Sequence, residues 1–478
     1  MAPSLRRLRR GSHAARRFAR SRRSATLAPR TLARRSAASA SLALAAALAL
    51  GSLAGCAGTR KGAPTTPPPT APPSPPAAPA PEPVSTAWKT TSSIKVGLAV
   101  GESKLLVAGS TRWKLEVLRG SEIARVAGGS ALSVRRLGAE AIEVLSDGEP
   151  APLWSGGAQD TLVLTPSDNG YSGWGGHWYR GAFQIYVSQS DGLTLVNEVD
   201  LESYLRSVLP NEIGTPPKSD YEAVKAQAVA ARSYTLSYLG RRSALGFDLF
   251  ASVEDQVYGG IGKENEQSDR ALAATRGQVL VSEGAPIRAL YSSTCGMRTA
   301  NVEDVWPWPW TGYLRSVRDS EAEGAAPYCS NSPNFRWREE WSTGAFMTML
   351  RQYGPAEAGA GATFAGDLLD VRVRERSRCG RVAELAVTTT KGDWVVRGDR
   401  VRWALRRMPS GAILRSSFLK IGVARDASGK PVSVIATGAG NGHGIGLCQW
   451  GAMGMARAGQ DYPTILRHYY KDTSLARI

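Results

Sequence analysis

The sequence has 478 residues, 59 Lys and Arg against 41 Asp and Glu, and a formal net charge of +18. That charge would suggest nucleic-acid binding, but 12 of the basic residues lie within the first 55, which hold no acid, and the remaining 47 leave an excess of only +6. With 42% apolar residues, 13 Trp and 15 Tyr, the chain can build hydrophobic cores, so collagen-like, coiled-coil and wholly disordered classes are excluded.

The first 55 residues have the pattern of an export signal. Arginines run from Arg6 to Arg35, and an uncharged stretch of small and apolar residues follows from Ser36 to Gly55. The apolar part of this stretch is too short and too rich in alanine for a membrane-spanning helix. Leu-Ala-Gly-Cys at 53–56 resembles a lipobox, which predicts a lipoprotein-type signal over 1–55 and lipidation of Cys56. An ordinary secretory signal and twin-arginine export are the alternatives.

Residues 56–87 are predicted to form a linker after the lipidated cysteine. The run from Gly62 to Val84 holds eleven of the 28 prolines, and such a segment favours extended polyproline geometry over a packed core. Anchor, linker and globular body together predict a protein exported and held by lipid at a bacterial membrane. It would face the cell wall, in the periplasm or on the cell surface.

Export would place the other four cysteines in an oxidising compartment. Cys295, Cys329, Cys379 and Cys448 allow three disulfide pairings. We expect a bond between Cys295 and Cys329, because these two bracket one Trp-rich loop. No two cysteines have the CxxC spacing, so a zinc ribbon is not expected.

The globular body is predicted to be α+β. From 88 to 195, short alternating or β-branched segments such as Ile94–Val100, Trp113–Leu118 and Gln184–Val187 predict a β-rich N-terminal region. From 196 to 478 the pattern changes to a mixed α/β domain. Lengths of this order suit two domains, or one domain with an all-β annex.

Two helices open the second region. Asp200 can cap a helix over Leu201–Leu209 that ends at Pro210. Ser219 and Glu222 have the spacing of a capping box, which predicts an alanine-crowded helix over Tyr221–Leu239, buried at the domain centre. Further strands are expected at Gln278–Ser282, Ala289–Tyr291, Leu369–Arg374, Val382–Thr388 and Trp394–Val396, and further helices near Thr343–Tyr353 and Tyr462–Tyr470.

Glu212 is the first candidate for chemistry. It is predicted to lie in a short turn after a helix, between apolar residues and just before the alanine helix. A carboxyl group in an apolar pocket has a raised pKa, which a general acid working near neutral pH requires. When Glu212 is taken alone, a surface glutamate of a turn is the alternative and the commoner case.

Two other segments could contact a ligand. Glycines surround His443 and would let the backbone approach a ligand closely, although a purely structural loop is the alternative and a lone histidine cannot build a metal site. Trp306, Trp308 and Trp310 alternate with prolines on a stiff, extended segment, so they cannot all face one core. Their flat apolar rings suit the C–H faces of sugars.

Several motifs, in one order along the chain, resemble those of the SpoIID/LytB family of cell-wall proteins. They are Val196–Leu205, Leu209–Glu212, Glu222–Tyr234, Asp255–Gly260, Ser292–Gly296 and Gly442–Ala452. The resemblance runs from about residue 93 to the C-terminus. It implies that 196–478 is a SpoIID-like catalytic domain.

The resemblance implies a peptidoglycan lytic transglycosylase. In such enzymes one glutamate, matching Glu212 here, protonates the oxygen between N-acetylmuramic acid (MurNAc) and N-acetylglucosamine (GlcNAc). It then helps the muramic 6-hydroxyl attack C1, which gives 1,6-anhydroMurNAc ends. A hydrolase of the usual type would need a second, suitably spaced acid, and no motif supplies one. By position, the substrate-binding cleft would be lined by Lys225, Gln227, Arg232, Gln256, Tyr258, Ser293, His443 and Gln449.

The same resemblance leaves a non-catalytic alternative. The family includes modifiers of amidases, so a peptidoglycan-binding or amidase-enhancing protein is the main rival, and a pure scaffold is the third option. Zinc-binding members carry Cys and His near the segment matching Asp255–Gly260, but Phe250, Ala251 and Val253 stand there, so neither metal nor cofactor is expected. The expected partners are peptidoglycan strands, a membrane through the lipid anchor and cell-wall amidases, but not nucleic acid.

Overall fold

The computed structural model describes residues 93–118, 120–146, 149–188, 192–359 and 361–478. The predicted signal over 1–55, the lipidated Cys56 and the linker up to residue 87 lie outside the described residues. The described residues belong to one compact unit. No helix within them is long and apolar enough to cross a membrane.

Residues 93–200 form two antiparallel sheets around a shared hydrophobic core, which confirms the predicted β-rich region. The strands are β1 (Ser93–Glu102), β2 (Lys104–Gly109), β3 (Trp113–Val117), β4 (Glu122–Val126), β5 (Ala131–Leu137), β6 (Ala141–Ser146), β7 (Trp154–Gly157), β8 (Leu162–Pro166), β9 (Ser172–Trp174), β10 (His177–Tyr179), β11 (Ala182–Val187) and β12 (Leu193–Asp200). One sheet has the order β10-β9-β2-β5-β6-β7, and the other has β1-β12-β11-β8-β3-β4. Strand β13 (Leu249–Phe250) joins the second sheet, parallel to β1.

Helix α1 (Leu201–Ile213) continues directly from β12. Asp200 caps it as predicted, because its Oδ1 accepts the N–H of Ser203 at 3.0 Å. The helix does not end at Pro210, however, but runs on to Ile213 and stops at Gly214, whose φ is 72°. A proline inside a helix removes one hydrogen bond, and here burial of the apolar residues on both sides of it outweighs that loss. Glu212 therefore lies in the last helical turn, not beyond the helix.

Helix α2 (Tyr221–Ser237) is the buried alanine helix that the sequence predicts. Five alanines on it are fully buried: Ala223, Ala226, Ala228, Ala230 and Ala231. Small side chains on several faces let neighbouring backbone approach closely, so α2 packs against α1 on one side and later elements on others.

The capping box predicted for α2 does not form. A 3-10 turn at Lys218–Asp220 precedes the helix, and no side chain caps its first turn. Glu222 instead accepts the N–H of Tyr462 at 3.0 Å, and the Asp220 carboxylate binds Arg457. Both carboxylates thus join the start of α2 to the C-terminal part of the chain, a role that local spacing could not predict.

The remaining elements are a mixture of strands and helices. They are α3 (Glu266–Ala274), β14 (Gln278–Ser282), β15 (Ala285–Pro286), β16 (Tyr291–Ser292), β17 (Arg336–Ser342), α4 (Thr343–Ala358), β18 (Leu368–Arg376), β19 (Val382–Thr389), β20 (Gly392–Arg397), α5 (Arg400–Ala404), β21 (Leu419–Arg425), β22 (Pro431–Ala439), β23 (Leu447–Cys448), α6 (Gln449–Arg457), α7 (Tyr462–Tyr469) and β24 (Ser474–Arg477). β16 and β23 form a parallel pair that sets Ser292 beside Cys448.

Residues 336–439 build a second hydrophobic core, which we call the inserted lobe. Its sheets, β17-β22-β21 and β18-β19-β20, enclose residues such as Phe346 of α4 and Val401 of α5. In the β17–β22 pair Arg336 lies opposite Ala439, so the chain leaves and re-enters the main body at one place. The sequence pattern predicts one domain over 196–478, and the inserted lobe is a second hydrophobic core within that region.

The overall class is α+β, as predicted. The expected boundary between 195 and 196 falls inside β12, whose last residue caps α1. The β-rich region and the helical region are therefore joined through one continuous strand.

Candidate functional site

A cleft of about 470 Å³ is lined by both the main body and the inserted lobe. Its walls are formed by Glu212, Tyr234, Val253, Glu254, Asp255, Val257, Leu290, Tyr291, Ser292, Ser293, Trp306, Arg402, Arg407, Ile413, Asn441, Gly442, His443 and Gln449. Glu212 comes from α1, Tyr234 from α2, and Arg402 from α5 of the lobe. Elements far apart in sequence therefore meet around Glu212.

Glu212 has the environment of a general acid. Its Oε1 accepts the backbone N–H of Val257 at 2.9 Å. Desolvation by the surrounding protein raises the pKa of Glu212 from 4.5 to about 7, and the Val257 hydrogen bond acts in the opposite direction. A carboxyl group that titrates near neutrality in a cleft can both donate and accept a proton there.

Two other carboxylates line the cleft, and neither resembles Glu212. The Oδ2 of Asp255 accepts the Nε–H of Arg242 at 2.9 Å and the backbone N–H of Phe250 at 2.8 Å. These contacts fix the loop that presents the N–H of Val257 to Glu212. The Glu254 side chain is 64% exposed, at the rim. Of these three acids, Glu254 is exposed and Asp255 is buried but paired with arginine, whereas Glu212 is desolvated and held by a backbone N–H.

A buried hydrogen-bond network holds the hydroxyl of Tyr291 in the cleft wall. The Nε2 of Gln256 donates to that hydroxyl at 2.9 Å, and its Oε1 accepts from Thr235 Oγ1 at 2.8 Å and Tyr204 Oη at 3.2 Å. Burial, followed by the charge of Glu212, raises the pKa of Tyr291 well above its ordinary value, so the hydroxyl stays protonated beside Glu212. Gln256 is fully buried, and it acts on the cleft through Tyr291.

The loop that contains His443 forms another part of the cleft wall. The Nδ1 of His443 accepts the N–H of Ile445 at 3.0 Å, and its ring lies 4.9 Å from that of Trp306. Burial lowers the pKa of His443 to about 4, so the imidazole is neutral near pH 7. The glycines have a steric role as well: at Gly444, with φ of 81°, a Cβ would lie 1.9 Å from Arg381 Nη2.

Gln449, the first residue of α6, connects that helix to the end of α1. Its Nε2 donates to the carbonyl of Glu212 at 3.2 Å and to the Oε1 of Gln227 at 3.4 Å. Ser293 lies in the cleft wall, and its carbonyl accepts the N–H of Trp450 at 3.0 Å. Gln449 thus satisfies one of the free carbonyls at the end of α1 and holds Glu212 in place.

Comparisons with known proteins identify the family. A family model described as Stage II sporulation protein matches residues 189–281, which include α1 and α2. An uncharacterized protein of Brachyspira hyodysenteriae is 30% identical over 300 residues, covering 62% of this chain and 72% of that protein. The chain belongs to the SpoIID family. Outside the SpoIID match, a domain of unknown function, DUF8618, matches residues 325–446 and so coincides with the inserted lobe.

Two other relatives of this SpoIID-family chain have descriptive names. Stage II sporulation protein D of Bacillus amyloliquefaciens is 26% identical over 296 residues, or 59% of this chain and 75% of that protein. The amidase enhancer of Bacillus subtilis is 27% identical over 311 residues, and the match spans 57% of this chain but only 40% of that longer protein.

Of the residues carried over from the SpoIID resemblance, Glu212, Ser293, His443 and Gln449 lie in the cleft wall. Gln227 is fully buried behind Gln449 and reaches the cleft only through it. Tyr258 is 3% exposed, and its hydroxyl donates to Asn197 Oδ1 at 2.7 Å.

Arg232 and Lys225 also lie away from the cleft. Arg232 is fully buried, and its guanidinium binds both carboxylate oxygens of Glu202 at 2.8 and 2.9 Å. Lys225 pairs with Glu222 at 2.5 Å and lies over the ring of Tyr462. Lys225, Gln227, Arg232, Gln256 and Tyr258 are thus framework residues of the SpoIID domain and not cleft-lining ones, which corrects the prediction.

Several cleft residues were not foreseen from the sequence, among them Tyr291, Arg402 and Arg407. Tyr291 stands just before the Ser292–Gly296 motif, and that position was its only available signal. Arg402 and Arg407 come from the inserted lobe, outside the segment that the SpoIID model matches. Arg402 binds Asp399, whereas the Nε of Arg407 donates to the carbonyl of Ile413 at 3.1 Å.

The indoles of the Trp-rich loop have separate environments. Trp306 lines the cleft, Trp308 packs on it with ring centroids 5.1 Å apart, and Trp310 is 70% exposed. One indole therefore faces the cleft, in line with the expectation that the three would not share a core.

The predicted disulfide between Cys295 and Cys329 is not formed. Their Sγ atoms lie 3.8 Å apart, against about 2.05 Å in a disulfide, and both are free thiols. The two residues do meet, as their positions around the Trp-rich loop suggested, but they meet together with Cys448.

Proposed function

We propose that this SpoIID-family chain is a lytic transglycosylase that cleaves the MurNAc–GlcNAc bond of peptidoglycan glycan strands. The observation that carries the proposal is the Glu212 carboxyl, desolvated in a cleft and with a pKa near 7. The other buried carboxylate of that cleft, Asp255, is paired with arginine. One residue must then act as both acid and base, which suits an intramolecular displacement.

The reaction can be written with Glu212 alone. The protonated carboxyl gives its proton to the glycosidic oxygen while the bond from that oxygen to muramic C1 breaks, and GlcNAc leaves with a free hydroxyl. The resulting carboxylate takes the proton of the muramic 6-hydroxyl as O6 bonds to C1. The product is a 1,6-anhydroMurNAc end, no water is consumed, and Glu212 returns to its protonated form.

The cleft that holds Glu212 also offers groups that can bind a glycan. The indole of Trp306 can stack on a sugar ring. The hydroxyl of Tyr291 can donate to a sugar oxygen near the reacting bond. Arg407 has guanidinium donors beyond its bond to Ile413 and could bind the lactyl carboxylate of MurNAc.

Digestion of purified glycan strands tests the proposal. Incubation with the protein followed by mass spectrometry should reveal fragments that end in 1,6-anhydroMurNAc. Fragments with reducing MurNAc ends would indicate hydrolysis instead, and an absence of fragments would reject catalysis.

The rate should depend on pH through Glu212. The active form is the protonated acid, so kcat/KM should be highest below pH 7 and fall about tenfold per unit above it, because the pKa of the group is about 7. His443 should not add a transition in this range, because its pKa is about 4. A pH–rate profile with its alkaline midpoint near 4.5 would contradict the raised pKa.

Replacing Tyr291 with Phe should lower kcat about tenfold, because one hydrogen bond near the reacting bond is lost. The fold should survive, since only the hydroxyl is removed and the Gln256 network keeps its contacts to Thr235 and Tyr204. Tyr234→Phe is the matched control, since Tyr234 lines the same cleft outside that network. Equal effects of the two changes would argue against a special role for Tyr291.

An amidase-enhancing or other non-catalytic glycan-binding role is the second candidate. It is favoured by the similarity to the amidase enhancer of Bacillus subtilis. It would use the same cleft, so glycan binding would persist while no fragments are released. Adding a cell-wall amidase and measuring its rate with and without this protein separates the two functions.

We further propose that the chain is exported and anchored through a lipid on Cys56, with its body facing the cell wall. The proposal rests on the Leu-Ala-Gly-Cys quartet after an uncharged apolar stretch, and on the proline-rich segment that follows. Cell fractionation tests it: a Cys56→Ala variant should move from the membrane fraction to the soluble exported fraction, and unchanged membrane association would reject the anchor.

A further inference from the structure

Four metal-ligating side chains converge in the protein interior, next to Gln449 of the cleft wall. Cys295, Asp319, Cys329 and Cys448 each offer a ligand atom, and these atoms all lie within 4.8 Å of one another. All four residues are fully buried. We propose that this cluster is a structural metal site that binds Zn²⁺ through three cysteine thiolates and the Asp319 carboxylate.

The distance between two of the sulfur atoms fits tetrahedral coordination of one ion. Two thiolates bound to one zinc at about 2.3 Å and at the tetrahedral angle lie about 3.8 Å apart. The Sγ atoms of Cys295 and Cys329 are 3.8 Å apart. A donor set of three soft sulfurs and one oxygen selects Zn²⁺ over Mg²⁺ or Ca²⁺, which prefer oxygen ligands only.

The ligands are oriented by hydrogen bonds of the kind that surround metal sites. The Sγ of Cys448 accepts the backbone N–H groups of Cys295 at 3.2 Å and Gly451 at 3.3 Å. The Asp319 oxygens accept from Tyr469 Oη at 2.6 Å and from the N–H of Cys329 at 2.9 Å. Such outer contacts fix ligands in place and stabilise their charged forms.

A buried arginine lies beside the cluster, and its positive charge supports a metal site with a net negative charge. Arg381 is 1% exposed, and its Nη2 donates to the carbonyl of Cys295 at 3.2 Å. Its Nε and Nη1 have no hydrogen-bond partner within the described residues. A buried charge needs compensation. Three thiolates, one carboxylate and Zn²⁺ sum to a charge of −2, which would provide it.

The site would join three separate parts of the chain. Cys295 follows β16, Cys329 lies in the 3-10 turn Tyr328–Asn331, and Cys448 ends β23 and caps α6. The residue next to Cys448 is Gln449, which holds the carbonyl of Glu212. A metal here would therefore hold the part of the cleft wall around Gln449 in place. It would be a structural ion, because its four ligands all come from the protein and leave no coordination position for a substrate.

Metal content and thiol state test the inference without any activity measurement. The full chain, purified without chelators, should contain about one zinc per molecule by elemental analysis. After zinc is removed and Co²⁺ is added, the thiolate-to-cobalt charge-transfer absorption and the visible bands of tetrahedral cobalt should appear. Binding should release protons, because each cysteine ligates as a thiolate.

Variants separate this site from a disulfide. Cys448→Ser should lose most of the zinc, and Asp319→Asn should bind it about tenfold more weakly. Cys379→Ser is the matched control, since Cys379 is a buried cysteine outside the cluster and its loss should leave one zinc per chain. Absence of zinc and of a cobalt spectrum in the wild-type chain would overturn the proposal, whether unfolded protein then shows a Cys295–Cys329 disulfide or only free thiols.

Discussion

Glu212→Gln should lower the rate of anhydroMurNAc release by about a thousandfold, because general acid–base catalysis contributes about 10²–10⁴-fold and the proposed reaction assigns both proton transfers to Glu212. The amide has nearly the same shape as the acid, and its oxygen can still accept the N–H of Val257. The variant should therefore keep its fold and its affinity for glycan. Mass spectrometry of digested strands measures the rate, and binding to insoluble peptidoglycan measures the affinity.

Glu254→Gln is the control for that experiment. It removes a carboxylate from the rim of the same cleft, and its side chain is mostly exposed. Its rate should stay within about twofold of the wild type, because an exposed acid with ordinary solvation contributes little to proton transfer at neutral pH. If Glu212→Gln kept full activity, or if both variants lost activity equally, a single-acid mechanism would be rejected.

Arg232→Met should destabilise the fold by about 3 kcal/mol, because removing one partner of a buried ion pair leaves the other partner uncompensated. Arg232 binds Glu202 on α1 through two contacts, and its Nη1 also donates to the carbonyls of Thr275 and Gln278, both at 3.0 Å. The change would leave a carboxylate and two carbonyls without these partners. Denaturant unfolding of the two proteins measures the difference.

A surface pair provides the matched control for Arg232. Arg270 and Glu266 on α3 lie 3.9 Å apart, with side chains 70% and 86% exposed. Arg270→Met should therefore change the free energy of unfolding by less than about 0.5 kcal/mol. If Arg232→Met instead raised KM and left the stability unchanged, Arg232 would be a substrate-binding residue and its framework role would be wrong.

The sequence predicted best where a local pattern and the tertiary structure agree. The cap at Asp200, the alanine helix and the strand at Gln278–Ser282 all appear where they were expected. Glu212 was identified from its apolar flanks, and its raised pKa follows from the burial that those flanks indicate.

The failures have a common physical origin in contacts made over long sequence distances. Glu222 has the spacing of a local cap, yet it binds the backbone of Tyr462. Arg232 and Tyr258 lie within family motifs, and the motifs alone do not distinguish a residue that contacts substrate from one that holds the framework. The Cys295–Asp319–Cys329–Cys448 cluster joins positions up to 153 residues apart, so no spacing rule reveals it.

The inserted lobe enters and leaves the main body at neighbouring residues, Arg336 and Ala439, and has its own hydrophobic core. Such an attachment makes it modular: another unit could occupy the same position without any change to α2 or to α1, which carries Glu212. Because Arg402 and Arg407 belong to this lobe, an exchange would alter the far wall of the cleft and leave the acid untouched. Substrate preference and proton transfer could thus diverge independently within one chain.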